Sequence, residues 1–411
     1  MIATDTKVIH AGTLLADAGE APKRQQSLLI EGSRIKSVAS GFIDPPDGAS
    51  LVDLSDKFVL PGLIDCHVHL TGQFGPKVFL EMVQDSEPKT GFKAAHYAAL
   101  TLGAGFTTVR DVGAFGSPDI IFALRDAIAD GLVDGPRILC VGMILGPTGG
   151  HGQVFPYREE VCACVHSTAG RCDGVDACRR AVRQQVAFGA DAIKFVATGG
   201  VLTDTKTGLD QQFFREEIES IIETAHALGR PVAAHAHSAA GINAALEAGV
   251  DSIEHGSFLD DRSIELFLEK GAFHVPTLIA GMAALEMSRG PTMSSAQADK
   301  ARQVAAEIKN ALGRSYKAGV RIAFGTDAAV APHGINGREF GLMAEAGMSA
   351  KDCLVAATLN AAELLGIADE VGTLEAGKSA DIIAVDASPL EDVTILESVK
   401  FVMARGSLFK G

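Results

Sequence analysis

Short apolar runs at both ends of the chain are separated by Gly, Ser and Asp. On the N-terminal side they occupy residues 6–15, 26–40 and 50–55, and on the C-terminal side residues 371–387 and 399–409. Runs of this length between turn residues are typical of β-strands. We therefore predict one small β-sandwich domain built from residues 1–57 and 371–411, with the two ends close in space.

The long middle of the chain alternates between apolar runs and helical patterns. Eight runs read as strands: 58–70, 105–112, 137–145, 191–198, 231–237, 252–256, 272–278 and 321–328. In residues 215–229 the apolar positions fall on one helical face, and Gly229 ends the pattern; these positions are Ile218, Ile221, Ile222, Ala225 and Leu228. Eight strand–helix units predict an α/β fold, a (β/α)8 TIM barrel over residues 58–370.

A doubly wound open sheet is the alternative to the barrel. Such a sheet favours a Gly-rich dinucleotide-binding loop after its first strand. No GxGxxG pattern follows the HVHL segment at residues 67–70, so the barrel is the preferred prediction.

Ionisable side chains recur where the predicted strands end, which is where barrels place catalytic groups. They are His67, His69, Lys194, His235, His237, His255 and Asp327. Polar groups at the ends of apolar strands are costly unless they are paired or metal-bound. Residues i and i+2 of a strand point to the same side, so His67 and His69 can hold one cation together. Neutral imidazoles suit zinc, and the whole set is large enough for two ions.

Lys194 is the unexpected member of this set. A protonated lysine would be repelled by divalent cations, whereas a buried lysine loses its proton readily. The neutral amine could then add carbon dioxide and become a carbamate. That anion has two oxygens and could bridge two cations, which remains a hypothesis at this point.

Composition and charge narrow the class of protein. The 411 residues are 47% hydrophobic and 21% charged, and the formal net charge of -15 is spread along the chain. This argues against a nucleic-acid groove. No apolar run approaches a membrane span and no secretory signal is visible, so we expect a cytoplasmic protein. We also expect a homo-oligomer that acts on a small molecule.

The seven cysteines do not form an obvious framework. Three lie isolated in apolar segments and read as small buried hydrophobes, namely Cys66, Cys140 and Cys353. Four cluster in the sequence: Cys162, Cys164, Cys172 and Cys178. Their spacing matches no usual CxxC pair, so a thiolate zinc site and a loop with free or paired thiols both stay open.

Several motifs resemble the amidohydrolase superfamily. They are PGLIDCHVHL, IKFVATGG, AAHAH, IEHG and GTDA, and residues 358–393 resemble the C-terminal stretch that its members share. The segments TGGHG, ATGGV, HAH and PHGIN resemble its metal-dependent dipeptidases and carboxypeptidases, which include prolidase-like and ochratoxin-hydrolysing enzymes. The resemblance covers nearly the whole chain and implies a barrel with a flanking β-sandwich.

The resemblance also implies roles for individual residues. His67, His69 and Asp327 would hold one metal, His235 and His255 the other, and Lys194, as N6-carboxylysine, would bridge them. A hydroxide between the metals would be the nucleophile, and Asp327 would take its proton and deliver it to the leaving nitrogen.

Further residues are implied to contact the substrate. His151 would contact a substrate carboxylate or the carbonyl oxygen, with a solvated loop histidine as the alternative. His237 would help to polarise the carbonyl. His333 and Asn336 would line the pocket, with helix capping as the alternative for Asn336. The remaining histidines are read as structural: His10, His96, His166, His226 and His274.

The chain departs from the family pattern at two places. Relatives often carry a Gln-Tyr pair where this chain has Phe213 and Phe214, and an acidic residue where it has Gln153. A more apolar pocket that includes Phe213 is therefore expected, suited to an aromatic amide, a carbamate or a urea.

The expected activity is cleavage of an amide or peptide-type C–N bond in an N-acyl amino acid, a dipeptide or an aromatic amide. Hydrolysis of a carbamate or aryl urea is an alternative. So is a mononuclear ring deaminase of the same fold, which would not need a bridging lysine. A non-catalytic scaffold protein is a third class, but no expected ligand residue is missing.

Overall fold

The computed structural model describes residues 6–152, 158–165, 170–204, 208–291 and 293–411. The strands in these ranges are β1 (Thr6–Leu14), β2 (Lys23–Glu31), β3 (Arg34–Ser40), β4 (Ser50–Pro61), β5 (Leu63–Val68), β6 (Phe106–Asp111), β7 (Arg137–Cys140), β8 (Ile193–Val196), β9 (Val232–Ser238), β10 (Ser252–Phe258), β11 (Phe273–Val275), β12 (Arg321–Ile322), β13 (Ile382–Val385), β14 (Phe401–Ala404) and β15 (Ser407–Lys410).

The helices of the described ranges are α1 (Val78–Gln84), α2 (Glu87–Gly103), α3 (Asp119–Ala129), α4 (Glu159–Cys164), α5 (Val175–Ala187), α6 (Arg215–Ala227), α7 (Ala239–Glu247), α8 (Asp261–Lys270), α9 (Leu278–Met287), α10 (Ser295–Lys317), α11 (Arg338–Glu345), α12 (Ala350–Ala356) and α13 (Leu359–Leu364). A 3-10 turn covers Val393–Ser398. Within the part of the chain that is described, no helix combines the length and the apolar character that crossing a membrane requires.

Both ends of the chain meet in one seven-stranded sheet. Its order is β15-β14-β13-β4-β1-β2-β3. Strand β4 runs parallel to β1 and antiparallel to β13, so N-terminal and C-terminal segments are direct neighbours. Ile9, Leu28, Val59 and Ile382 are among the buried residues of its separate core. The predicted β-sandwich from both termini is confirmed.

The segment predicted as the first barrel strand is divided between the two parts of the fold. Strand β4 continues to Pro61 in the small sheet, and β5 begins at Leu63 in the barrel. Between them Gly62 passes so close to the Thr107 side chain that a Cβ would lie 2.1 Å from its Oγ1. Only glycine permits this approach. The division of the chain into domains at residues 57/58 and 370/371 stays a prediction.

The middle of the chain forms eight parallel strands in sequence order. Strands β5 to β7 make one sheet and β8 to β12 the other. Leu145 joins the sheets on one side, since its N–H donates to the Lys194 carbonyl at 2.8 Å. On the other side the Cys66 N–H donates to the Phe324 carbonyl at 2.8 Å. These bonds bring β12 back beside β5, so the predicted (β/α)8 barrel is confirmed.

The helices bury their apolar faces against the barrel. In α6 the residues predicted to face inward are buried, Ile218, Ile221, Ile222 and Ala225 among them. Leu228 is the exception at 41% exposure, because α6 ends at Ala227 and Leu228 lies beyond the last turn. The carboxyl ends of the strands are thereby held around one rim of the barrel.

Candidate active site

Three predicted ligands from opposite ends of the sequence converge at the β5 rim. His67 and His69 leave β5 on the same side, and Asp327 follows β12. Their ligand atoms lie within 4.8 Å of one another. Asp327 Oδ1 is 3.5 Å from His67 Nε2 and 3.3 Å from His69 Nε2. We call these residues the first group; two nitrogens and one carboxylate oxygen suit a divalent cation such as zinc.

A second group of three histidines lies beside the first. It consists of His235 and His237 on β9 and His255 on β10, whose ligand atoms also lie within 4.8 Å of one another. The rings of His67 and His255 are 5.1 Å apart, so the two groups adjoin. His237 belongs to this group by geometry, in addition to the carbonyl-polarising role predicted for it. These are the groups of three or more candidate ligands found among the described residues.

The imidazoles of the second group are suited to accept a cation. Burial lowers the pKa of His237 to about 3 and that of His235 and His255 well below the usual value. Neutral imidazoles offer a free lone pair. His235 Nε2 lies 3.3 Å from the Gly199 carbonyl, which leaves the Nδ1 lone pair free to bind a cation. His255 Nδ1 is 2.6 Å from Thr277 Oγ1, which leaves its Nε2.

Lys194 lies in β8, and it is buried in the cavity wall that also contains both groups. Its side chain is 2% exposed, and its Nζ is a buried atom without a hydrogen-bond partner. Burial lowers the pKa of Lys194 to about 8, and the lysine in turn lowers the pKa of His67 and His255, one from each group. An unpartnered buried amine is costly, so this atom fits a position that a further group would complete.

Left-handed backbone at two strand ends aims the ligands into the barrel. His255 has φ +70 and Asp327 has φ +55. Residues other than glycine rarely adopt this conformation, and it persists where the surroundings hold it. His274 supplies such a hold, because its Nε2 donates to the His255 carbonyl at 3.0 Å. His274 thus has a structural role, as the sequence predicts, and that role is to hold the backbone of a candidate ligand.

A cavity opens above the two groups. Its wall contains Lys194 together with every residue of the two groups and His151. Apolar side chains form most of the rest, and the larger ones are Phe74, Val78, Met82, Phe115, Met143, Ile144, Val165, Val196, Val201, Leu202, Val304, Ile308 and Val330. Lys194 is the cationic side chain among the lining residues that are described. The cavity therefore offers an apolar surface next to a polar floor.

His151 lies in the cavity wall, as predicted, and is held from two sides. Its ring is 4.3 Å from that of His235, and its Nδ1 hydrogen-bonds to Thr203 Oγ1. Its backbone N–H donates to Gln212 Oε1 at 2.8 Å. Burial lowers the pKa of His151 to about 3. The geometry is that of an ordered pocket residue, and its contact with substrate stays a prediction.

Phe213 does not line the cavity, which corrects the expectation from the sequence. Its side chain is 2% exposed and packs in the barrel core, 6.3 Å from the Phe195 ring. Phe214 is 76% exposed and precedes the first turn of α6. The start of α6 therefore turns one ring into the core and the other into solvent. Gln153 and His166 lie outside the described residues.

His333 is likewise absent from the cavity wall. Its Nε2 donates to the Gly72 carbonyl at 2.8 Å and its ring stacks on Tyr97 at 4.5 Å. These contacts fasten the loop after β12 to the loop after β5. The predicted role in lining the pocket is replaced by one in holding these loops together.

Asn336 neither lines the cavity nor caps a helix, since Gly337 is the N-cap of α11. It is 1% exposed, and its Nδ2 donates to Asp65 Oδ2 at 2.8 Å. Asp65 also accepts from the His67 N–H at 3.0 Å and the Thr326 N–H at 3.1 Å. Asn336 thus braces the buried carboxylate that joins the two backbone segments of the first group.

Replacing Asn336 with alanine is expected to lower the free energy of unfolding by about 2 kcal/mol, because a buried carboxylate loses a donor. Urea unfolding measures the change. The control is Asn310→Ala, which removes an exposed amide on α10 and should change the free energy of unfolding by less than about 0.5 kcal/mol. Equal losses in the two variants would contradict the bracing role.

The cysteine cluster is buried where the structure describes it. Cys162, Cys172 and Cys178 are buried, and Cys172 and Cys178 form no disulfide. The Cys172 and Cys178 side chains are in hydrogen-bond contact. No third described ligand joins them in a metal-like group. The side chain of Cys164 lies outside what the structure describes.

Comparison with known proteins gives concordant matches. The sequence model of the amidohydrolase family matches residues 58–409. Ochratoxinase from Aspergillus niger is 33% identical over 427 residues, which cover 98% of this chain and 86% of that enzyme. The crystal structure of a Xaa-Pro dipeptidase with methionine bound in its active site is similar, with a TM-score of 0.91, 38% identity and coverage of 99% of this chain and 100% of that one. A prolidase complexed with N-methylphosphonate-L-proline has a TM-score of 0.90 at 32% identity, covering 98% and 99%.

Proposed function

The chain belongs to the amidohydrolase family and is a hydrolase acting on C–N bonds, and on this basis we propose that it cleaves an amide or peptide-type bond with two divalent metal ions, zinc in the first instance. One observation carries the proposal. Two adjoining groups of three candidate ligands share one cavity wall with Lys194, whose buried Nζ has no hydrogen-bond partner.

The donor set fits two cations. His67, His69 and Asp327 would hold one, and His235 with His255 the other. Lys194 as N6-carboxylysine would supply a bridging anion, which would remove both the unpartnered amine and the repulsion between a lysine and two cations. When bound, the ions would lower the pKa of a water molecule and polarise the scissile carbonyl.

The chain's own residues would handle the proton and orient the substrate. Asp327 would accept a proton from the attacking water and deliver it to the leaving nitrogen, without which an amide's amine leaves poorly. Although burial raises the pKa of Asp327, its neighbours His67 and His69 hold it below the usual value, so the carboxylate starts ionised. His151 and His237 border the cavity and would position the carbonyl oxygen.

The cavity wall favours an apolar, aromatic substrate. Lys194 is committed to the metals in this proposal, and the described lining offers no arginine for a substrate carboxylate. Burying an unpaired carboxylate is unfavourable. Within the range of N-acyl amino acids, dipeptides and aromatic amides, we therefore favour neutral aromatic amides, with carbamates and aryl ureas as the alternative substrates.

Removing metal should abolish activity. The purified protein is expected to contain two zinc ions per chain, and dialysis against a chelator should lower kcat by at least about 100-fold, since the ions supply the activated water. Elemental analysis and amide hydrolysis measure the two quantities. Zinc should restore activity and magnesium should not, because the donors are mostly imidazoles. One ion per chain would instead support a ring deaminase.

A matched pair of substrates tests the neutral-substrate preference. N-benzoyl-phenylalaninamide is expected to be cleaved at the benzoyl amide with a kcat/KM at least tenfold above that of N-benzoyl-phenylalanine, equivalent to about 1.4 kcal/mol. Simple dipeptides, an aryl carbamate and an aryl urea complete the screen. Preference for the free acid would show that the carboxylate has a partner in the site.

We further propose that the enzyme works in the cytoplasm as a homo-oligomer. Cys66, Cys140, Cys172, Cys178 and Cys353 are buried thiols that form no disulfide, which supports a reducing compartment.

A further inference from the structure

The end of β10 contacts both groups of candidate ligands. His255 belongs to the second group, and Ser257 Oγ lies 2.9 Å from His237 Nδ1 in that group. Glu254 reaches the other way, across the barrel, where its Oε2 accepts from His67 Nδ1 at 2.7 Å. In the sheet Glu254 is paired with His235. One carboxylate therefore links a strand of the second group to a ligand of the first.

Glu254 is fully buried and fully satisfied. Its Oε1 accepts from Arg110 Nη2 at 2.8 Å and from Ser252 Oγ at 2.6 Å. Arg110 is itself 1% exposed, and its Nε donates to the Cys66 carbonyl at 2.7 Å, one residue before His67. The arginine thus neutralises the carboxylate and holds the backbone next to the ligand that the carboxylate contacts.

A buried ion pair of this kind is weak evidence for stability. Taking both charges out of water costs several kcal/mol for each ion, and apolar replacements are often as stable. Arg110 and Glu254 instead define the orientation of the His67 ring and the nitrogen that carries its proton. A carboxylate only accepts, so it requires the proton of His67 to sit on Nδ1 and leaves the Nε2 lone pair free. Nε2 is the atom that faces Asp327 Oδ1.

His69, the other histidine of the first group, has a different hydrogen-bond partner. His69 Nδ1 donates to the Gly113 carbonyl at 2.7 Å, a neutral acceptor. A charged acceptor makes a stronger bond and increases the basicity of the imidazole more. His67 is therefore the stronger metal ligand of the two histidines, and its orientation depends on the Glu254 side chain.

We propose that Glu254 is a positioning residue that fixes the Nδ1–H tautomer and the ring orientation of His67, and so sets the metal affinity of the first group from the strand that carries the second. The inference rests on the proposed function, since it concerns the cation that His67 would hold. The sequence predicts no role for Glu254 or Arg110, although each is a charged residue within an apolar strand.

The variant Glu254→Gln tests this role, with Glu217→Gln as its matched control. Glu217 is also buried, but its carboxylate accepts from the Gly174 and Phe214 N–H groups at the start of α6, away from both groups. Zinc affinities are measured by competition with a chromophoric chelator. One of the two sites should weaken by about 10- to 100-fold in Glu254→Gln, and neither in the control. Wild-type affinity at both sites in a folded Glu254→Gln protein would overturn the proposal.

A second measurement needs no variant of Glu254. NMR of the zinc-loaded wild-type protein with 15N-labelled histidine reports the tautomer of each ring, and the His67 signal is assigned by its loss in His67→Asn. We expect a proton on His67 Nδ1 and zinc on Nε2. Zinc on Nδ1 would overturn the proposal even if Glu254→Gln failed to fold. A wild-type chain that binds no zinc would overturn the proposed function as well, whereas normal zinc binding by both proteins would overturn the positioning role alone.

Discussion

Replacing Lys194 with alanine is expected to reduce bound zinc from two ions per chain to one or fewer and to lower kcat by about 1,000-fold or more. The lysine amine is buried, has no hydrogen-bond partner and lies in the same cavity wall as the two groups. Without the bridging carbamate, two cations would face each other with one fewer anion between them, and their repulsion would expel one. Elemental analysis and steady-state kinetics measure both effects.

Chemical rescue separates the bridging role from general damage. Truncation to alanine leaves space for a small carboxylic acid, so millimolar propionate should restore part of the zinc and part of the activity. The control is Lys300→Met. Lys300 is also a buried lysine, but its Nζ donates to the Gly200 and Thr203 carbonyls at 2.9 and 2.6 Å, so both ions should remain. Full zinc and full activity in Lys194→Ala would show that the lysine does not bridge.

The change Asp327→Asn is expected to lower kcat by about 1,000-fold. An amide cannot accept the proton of the attacking water, and loss of a positioned general base costs about 100- to 10,000-fold. Asparagine tolerates the left-handed backbone at this position, where φ is +55, so the fold should survive. Steady-state kinetics with zinc in excess measure the loss.

The control for this change is Asp251→Asn on the outside of the barrel. Asp251 pairs with His226 at 2.8 Å on the protein surface, and its variant should keep kcat within about twofold of wild type. If Asp327→Asn with restored zinc retained more than a tenth of the wild-type kcat, the proton transfer would have to be assigned to another group.

The residues of the two groups were predictable because strand ends leave a clear signal. His67 and His69 stand two positions apart after an apolar run, Asp327 and His255 follow other such runs, and Lys194 interrupts one. Parallel strands in sequence order bring their carboxyl ends to one rim of the barrel. The sequence therefore predicts both which residues are candidate ligands and that they meet at this rim. The barrel and the sheet from both termini were predictable from the same periodicity.

The residues that support the groups were not predictable from local pattern. Glu254 contacts His67 across 187 positions of sequence, and Asn336 contacts Asp65 across 271. Such pairings depend on how barrel strands and loops pack, which hydrophobic periodicity does not encode. Phe213 is the opposite case, a residue that the sequence predicts in the cavity wall but that lies in the core. Two adjacent phenylalanines look alike in sequence, but the start of α6 places one in the core and the other in solvent.

The seven-stranded sheet has a consequence for synthesis on the ribosome. Residues 58–61 of β4 pair in the sheet with residues 382–385 of β13, which are synthesised more than 300 residues later. Strand β4 also leads directly into β5, the first barrel strand. A nascent chain therefore emerges with its barrel nearly complete while one flank of β4 has unpaired backbone groups. Closing such a distant contact is slow, so we expect β4 to pair with β13 late in folding, after the barrel strands have paired with one another.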